Sequence, residues 1–132
     1  MSDAGYSGTP LPRKLGIGPG SRVMLVGAPE ALVAGMLGEG QIVEAGPADV
    51  IVAFFTERPA FEAALAGLRA QMEPAAGLWI AWPKRASKVQ TDMTEDVVRE
   101  VALPGGELVD NKVCAIDATW SGLRLVIRRS RR

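Results

Sequence analysis

The chain has 132 residues, 15 basic and 15 acidic side chains, and a hydrophobic fraction of 48%. This length is typical of one domain, and this composition predicts a folded core. The absence of histidine and the single cysteine, Cys114, exclude Ser-His and Cys-His catalytic pairs, histidine-ligated zinc and an internal disulfide. Magnesium held by carboxylates stays open as an alternative, but the acids are scattered without a tight cluster, so we predict no metal site. Without a signal-like or membrane-length apolar run, we expect a soluble, cytoplasmic protein.

Residues 1–20 are rich in Gly, Ser and Pro, which predicts an extended N-terminal arm. We expect it to pack through its apolar side chains, Tyr6, Leu11 and Leu15. A single α/β domain is predicted over residues 21–129, followed by a basic tail at 130–132.

Three apolar runs predict buried central strands, because they are rich in β-branched and aromatic residues. They read RVMLVG (22–27), ADVIVAFF (48–55) and LWIAWP (78–83). A shorter strand is predicted at QIVEA (41–45).

Helices are predicted between these strands, where apolar residues recur at helical spacing. Their ranges are 29–40, 59–72 and 91–103. Either Asp92 or Thr94 is expected to cap the third helix. The stretch EPAAG (73–77) is predicted to be a break before the third central strand.

Two further strands are predicted at 108–117 and 122–129, and their short connection requires antiparallel pairing. Strands separated by helices indicate a mostly parallel sheet. The predicted fold is therefore an α/β, three-layer Rossmann-like sandwich with a sheet of five to six strands, closed by a C-terminal antiparallel hairpin.

The order of EPAAGLWIAWP, a helix and a closing hairpin resembles the C-terminal half of class I S-adenosylmethionine-dependent methyltransferases. RVMLVG is similar to the first strand of that fold, although the front half has room for only one helix and one small strand. The stretches GYSGTPLPRKLGIGPG, DVIVAFF, LWIAWPKRAS and NKVCAIDATWSGLRLV resemble short bacterial proteins catalogued as domain of unknown function 3052. This resemblance implies a compact Rossmann-like domain and supplies no catalytic residues.

The segment VGAPEAL (26–32) stands where a methyltransferase-like fold would place its cofactor loop. Gly27 would let a ligand approach the backbone, and Glu44 is a candidate for gripping a ribose hydroxyl. Pro29 removes an N–H donor, and the other glycines of such a loop are missing. The series Gly16-x-Gly18-x-Gly20 precedes the first strand, so it predicts a turn. We therefore predict no bound cofactor.

Ligands of open parallel sheets bind beyond the carboxyl ends of the strands. The residues predicted to converge there as a tentative ligand site are Gly27, Ala28, Phe55, Thr56, Trp82, Lys84, Arg85 and Lys88. The three cations favour a phosphate or carboxylate. The alternative is that Pro83 ends the strand and these cations are simply solvated.

Three functions remain open from the sequence. The favoured one is a non-catalytic module that binds a small anion, a nucleotide or a protein partner. An S-adenosylmethionine-dependent or other histidine-free enzyme is the second, with its chemistry drawn from Lys84, Lys88, Asp92 or Asp117. The third is a nucleic-acid-associated protein, acting through the five arginines among residues 124–132.

Two further side chains have alternative interpretations. Cys114 lies in a strand-like segment, which favours an inert buried thiol over a reactive one. Trp120 is predicted to pack over the turn of the closing hairpin, the alternative being contact with a ligand or partner.

Overall fold

The computed structural model describes residues 8–132. Predictions for residues 1–7, including Tyr6, lie outside this range. The strands are β1 Arg22–Val26, β2 Gln41–Ile42, β3 Ala48–Phe54, β4 Met72–Pro83, β5 Leu108–Ala115 and β6 Trp120–Ile127. The α-helices are α1 Leu11–Leu15, α2 Glu30–Leu37, α3 Arg58–Ala70 and α4 Glu95–Ala102, with 3₁₀ turns at Arg85–Ser87 and Arg129–Arg131.

The strands form one six-stranded sheet in the order β2-β1-β3-β4-β6-β5. Strands β2, β1, β3 and β4 are parallel, whereas β6 runs antiparallel to both β4 and β5. The predicted α/β fold with a closing antiparallel hairpin is therefore confirmed. None of the helices in the described part of the chain has the length and apolar character needed to cross a membrane.

Each face of the sheet is covered by its own apolar layer, as expected for strands buried on both sides. One layer joins α3 and α4 to side chains such as Ile51, Ile80 and Leu123. The other joins α1 and α2 to side chains that include Val52 and Trp79. All five of these side chains are fully buried.

The N-terminal arm differs from its prediction, because residues 11–15 form α1 rather than extended chain. The helix ends at Gly16, which has φ +86° and donates its backbone N–H to the Arg13 carbonyl. Leu15 is buried against the sheet, and its carbonyl accepts a hydrogen bond from Trp79 Nε1 at 2.9 Å. Satisfying the buried indole N–H is the physical reason for this docked turn.

The predicted break at 73–77 is also wrong, since β4 begins at Met72. Met72 pairs with Ala48, and the register then shifts so that Gly77 pairs with Val50. The extra residues form a bulge, which tolerates Pro74 because a bulge does not need every ladder hydrogen bond. Extended chain therefore continues through a proline that suggested a turn.

Helix α4 begins at Glu95, four residues after its predicted start. Thr94 is the N-cap, and its hydroxyl accepts the Val97 backbone N–H at 3.1 Å. Asp92, the other predicted cap, instead accepts the backbone N–H of Arg58 at the start of α3, at 2.7 Å.

Candidate functional site

The three central strands end together at one edge of the sheet. Val26 pairs with Ala53, and Phe54 pairs with Ala81. The backbone N–H of Phe55 continues this ladder to the Ala81 carbonyl at 3.0 Å. We call the edge formed by residues 27–28, 55–56 and 82–85 the rim. The predicted convergence of strand ends is therefore observed, while ligand binding there stays a prediction.

Gly27 lies on the rim but has a packing role of its own. Its φ is +68°, and a Cβ added there would lie 3.1 Å from the Phe54 carbonyl oxygen. Both features require glycine without any ligand. Helix α2 then begins with Pro29 as N-cap and Glu30 in its first turn. A missing N–H donor and a carboxylate both disfavour an anion at this turn.

Glu44 does not lie at the rim, and its predicted role with a ribose hydroxyl stays a prediction. It lies in the short connection between β2 and β3, two residues before Gly46. The Gly46 N–H donates to Gln71 Oε1, beside the first residue of β4. Glu44 is two residues from Gly46 and can lie at most about 7 Å from it. The seven residues of β3, which lead from the amino end of the sheet to the rim, span about 20 Å. Glu44 is thus held towards the amino edge of the sheet.

Two adjacent clefts open beside the rim. The larger has a volume of about 570 Å³ and is polar. It is lined by Thr56, Glu57, Pro59, Gln90, Thr91 and Asp92. The smaller, which we call the Arg85 cleft, has a volume of about 350 Å³. It is lined by Trp82, Pro83, Arg85, Val89, Thr91, Met93 and Thr94.

Thr91 lies between the two clefts and was not among the predicted site residues. Its hydroxyl donates to the Thr56 carbonyl at 2.6 Å and accepts the Met93 backbone N–H at 3.0 Å. These bonds attach the loop before α4 to the end of β3. The polar run QTD at 90–92, which follows the strand end, is the available sequence signal for Thr91. The predicted helix at 91–103 includes Thr91, so it was not assigned to the site.

The predicted rim cations occupy different positions. Arg85 lines its cleft and is exposed, and its side chain makes no ion pair within residues 8–132. Lys84 is half-buried, and its backbone N–H donates to the Thr119 carbonyl at 2.7 Å. Lys88 is exposed with φ +63°. Neither lysine lines the two clefts, so the structure does not gather all three cations around one point.

Asp92 and Asp117, the acids considered for catalysis, both have structural hydrogen bonds. Asp92 accepts the Arg58 N–H as described above, and Asp117 Oδ1 accepts the backbone N–H groups of Thr119 and Trp120 at 2.8 and 2.7 Å. Among residues 8–132, no group of three or more histidine, cysteine or acidic side chains is arranged to hold a metal. These acids stabilise a loop and a turn.

Trp120 packs against the apolar layer that α1 and α2 cover, although not over the hairpin turn as predicted. Its ring contacts Phe54 edge to face, with centroids 5.0 Å apart, and its backbone pairs with Pro83. Cys114 is half-buried on the same side of the sheet. Burial raises the pKa of its thiol, despite the opposing positive charges of Lys14 and Lys112. A raised thiol pKa supports the inert interpretation.

Neither a protein-family model nor a curated protein matches this sequence, so the resemblance to domain of unknown function 3052 is not confirmed. Solved structures with a similar fold include S-adenosylmethionine-dependent methyltransferases. A methyltransferase from Aquifex aeolicus has a TM-score of 0.57 at 14% identity, over 88% of this chain and 87% of that one. Fibrillarin from Aeropyrum pernix, bound to S-adenosyl-L-methionine, has a TM-score of 0.58 at 14% identity, over 92% and 70%. At these identities the similarity shows a methyltransferase-like fold and nothing finer.

Proposed function

We propose that this methyltransferase-like domain is a non-catalytic module that binds a small organic anion in the Arg85 cleft. The observation that carries the proposal is the pairing of one uncompensated cation with an apolar floor. Trp82 and Met93 are buried beneath the cleft, and Val89 is one of the few large hydrophobic side chains left exposed, at 42%.

The chemistry of the cleft favours a ligand with an anionic group and an apolar body. Arg85 offers a planar set of donors that matches a carboxylate or phosphate. Val89, Trp82 and Pro83 supply the apolar surface that such pockets use for most of their contact area. The neighbouring cleft carries the carboxylates of Glu57 and Asp92, which would repel an anion.

The test is a thermal-shift screen of nucleotides, hydrophobic carboxylates and S-adenosylhomocysteine. A ligand at a hundredfold excess over its dissociation constant stabilises the protein by about 2.7 kcal/mol. We expect Arg85→Ala to weaken binding of the best ligand roughly tenfold, because it removes a charge-assisted hydrogen bond. Arg129→Ala, which removes another exposed arginine, is the matched control and should leave binding unchanged.

Either of two results would contradict this proposal. One is a screen without any stabilising anion. The other is a ligand whose affinity is the same in Arg85→Ala and the parent. If the cleft binds a protein partner instead, the screen would find no stabilising anion. A partner that is pulled down by the parent but not by Arg85→Ala would then identify the cleft as a protein-binding site.

A methyltransferase is the second candidate, supported by the fold alone. The position of Glu44 and the sequence Pro29-Glu30 both disfavour a cofactor at the loop where a methyltransferase-like fold would place it. Isothermal titration with S-adenosylmethionine tests this candidate, and we expect no heat of binding. Saturable binding that Glu30→Gln strengthens would support the enzyme over the non-catalytic module.

A further inference from the structure

A second cationic site lies on the sheet itself, away from the rim. Arg124 of β6 is flanked in register by Trp79 of β4 and Lys112 of β5. Its side chain lies across β4 over Gly77, where an added Cβ would come within 2.5 Å of Arg124 Nε. The glycine leaves the space that the half-buried guanidinium occupies.

The positive charge of Arg124 is not compensated by a carboxylate within the described residues. Arg22, Arg58, Arg69 and Arg99 each form an ion pair with a carboxylate. Within the described residues, by contrast, the side chain of Arg124 makes no ion pair or hydrogen bond.

Two cationic residues lie near Arg124. Lys112 pairs with Arg124 in register on β5, so the two side chains leave the same face of the sheet. Burial is the main cause that lowers the pKa of Arg124, and the nearby positive charge of Arg132 lowers it further. Arg132 is held in place by a hydrogen bond from its Nε to the Ile127 carbonyl at 2.8 Å.

We propose that a phosphate group binds to Lys112, Arg124 and Arg132. We call these three residues the basic cluster. A phosphate accepts several hydrogen bonds, and a guanidinium donates two in parallel to it. Its negative charge would compensate three cations that form no ion pair within residues 8–132. The phosphate could belong to a small free compound or to the backbone of a nucleic acid, and both offer the same chemistry.

The basic cluster is distinct from the Arg85 cleft. Arg85 follows the carboxyl end of β4, whereas Arg132 follows the carboxyl end of β6. Because β6 runs antiparallel to β4, these two strand ends point to opposite sides of the sheet.

The experiment measures binding of pyrophosphate, a short single-stranded RNA and a duplex DNA at constant ionic strength. We expect at least one probe to bind, and Arg124→Gln to weaken that binding at least tenfold. Lys112→Gln should weaken it as well. The tail variant Arg129→Gln should bind like the parent. Binding of pyrophosphate alone identifies a free phosphate compound, whereas tighter, salt-dependent binding of RNA or DNA identifies a nucleic acid.

Stability without a phosphate is the second measurement. Because Arg124→Gln removes an unpaired, half-buried cation, we expect it to melt at or above the temperature of the parent in phosphate-free buffer. If Arg124→Gln does not fold, Lys112→Gln and Arg132→Gln carry the binding test. Absence of binding to all three probes would overturn the proposal, and so would equal binding by the parent and the cluster variants.

Discussion

At the scale of the residue, Gly27 illustrates how much a sequence leaves open. Its place after a central strand suggested that a ligand could approach the backbone there, and that stays a prediction. The group that does approach is the carbonyl of Phe54. Only the register between β1 and β3 reveals this, and no local pattern at Gly27 contains that information.

A pair of glycine substitutions tests this interpretation. Gly27→Ala is expected to lower the free energy of unfolding by about 1–2 kcal/mol, since alanine is strained at φ +68° and would crowd the Phe54 carbonyl. Gly67→Ala, within α3 and with open space at its Cβ, is expected to raise it by up to about 1 kcal/mol. Urea denaturation measures both changes, and a neutral Gly27→Ala would contradict the packing role.

At the scale of the element, the strands were predictable and their limits were not. The β-branched runs identified β1 and β3 to within a residue or two, because burial on both faces leaves a continuous apolar sequence. The start of β4 was missed because a bulge accommodates Pro74 there. Helix α1 was missed because its five residues depend on tertiary contacts through Leu15, and short helices have little intrinsic stability.

The amino ends of β1, β3 and β4 are joined by a polar cluster that makes stability depend on pH. Arg22 forms ion pairs with Asp49 at 3.4 Å and with Glu73 at 2.6 Å. The pKa of Asp49 is lowered, chiefly because its carboxylate accepts the backbone N–H of Arg22. The charged form of Asp49 therefore stabilises the fold above its unfolded-state pKa of about 4.

That stabilisation is lost as the pH falls through the lower, folded-state pKa. Asp49→Asn should consequently be less stable than the parent at pH 7, and the difference should shrink below about pH 4. Urea melts at a series of pH values measure this difference. Glu39→Gln, which removes an exposed carboxylate elsewhere on the surface, is the control. A difference between Asp49→Asn and the parent that does not vary with pH would contradict the account.

At the scale of the whole molecule, the sequence predicted the layers and the closing hairpin, but it could not show where Glu44 lies relative to the strand ends. Residues 43–47 are the entire connection from β2 to the parallel strand β3. Such a short connection can reach the amino end of β3 only if all its residues lie near that end of the sheet. Glu44 is one of these residues. The cleft residue Thr91 was also missed, because the hydrogen bond that places it joins it to Thr56, 35 residues away in the sequence.

The central claim is that this methyltransferase-like sheet binds its ligand at the Arg85 cleft and not at the turn after β1. Its most direct test is amide chemical-shift mapping by NMR, with phenylacetate and S-adenosylhomocysteine as probes. The account predicts that phenylacetate shifts the amides of Arg85, Thr91 and Met93, and that S-adenosylhomocysteine leaves residues 27–31 unchanged. Shifts concentrated at residues 27–31 with either probe, and absent around Arg85, would contradict it.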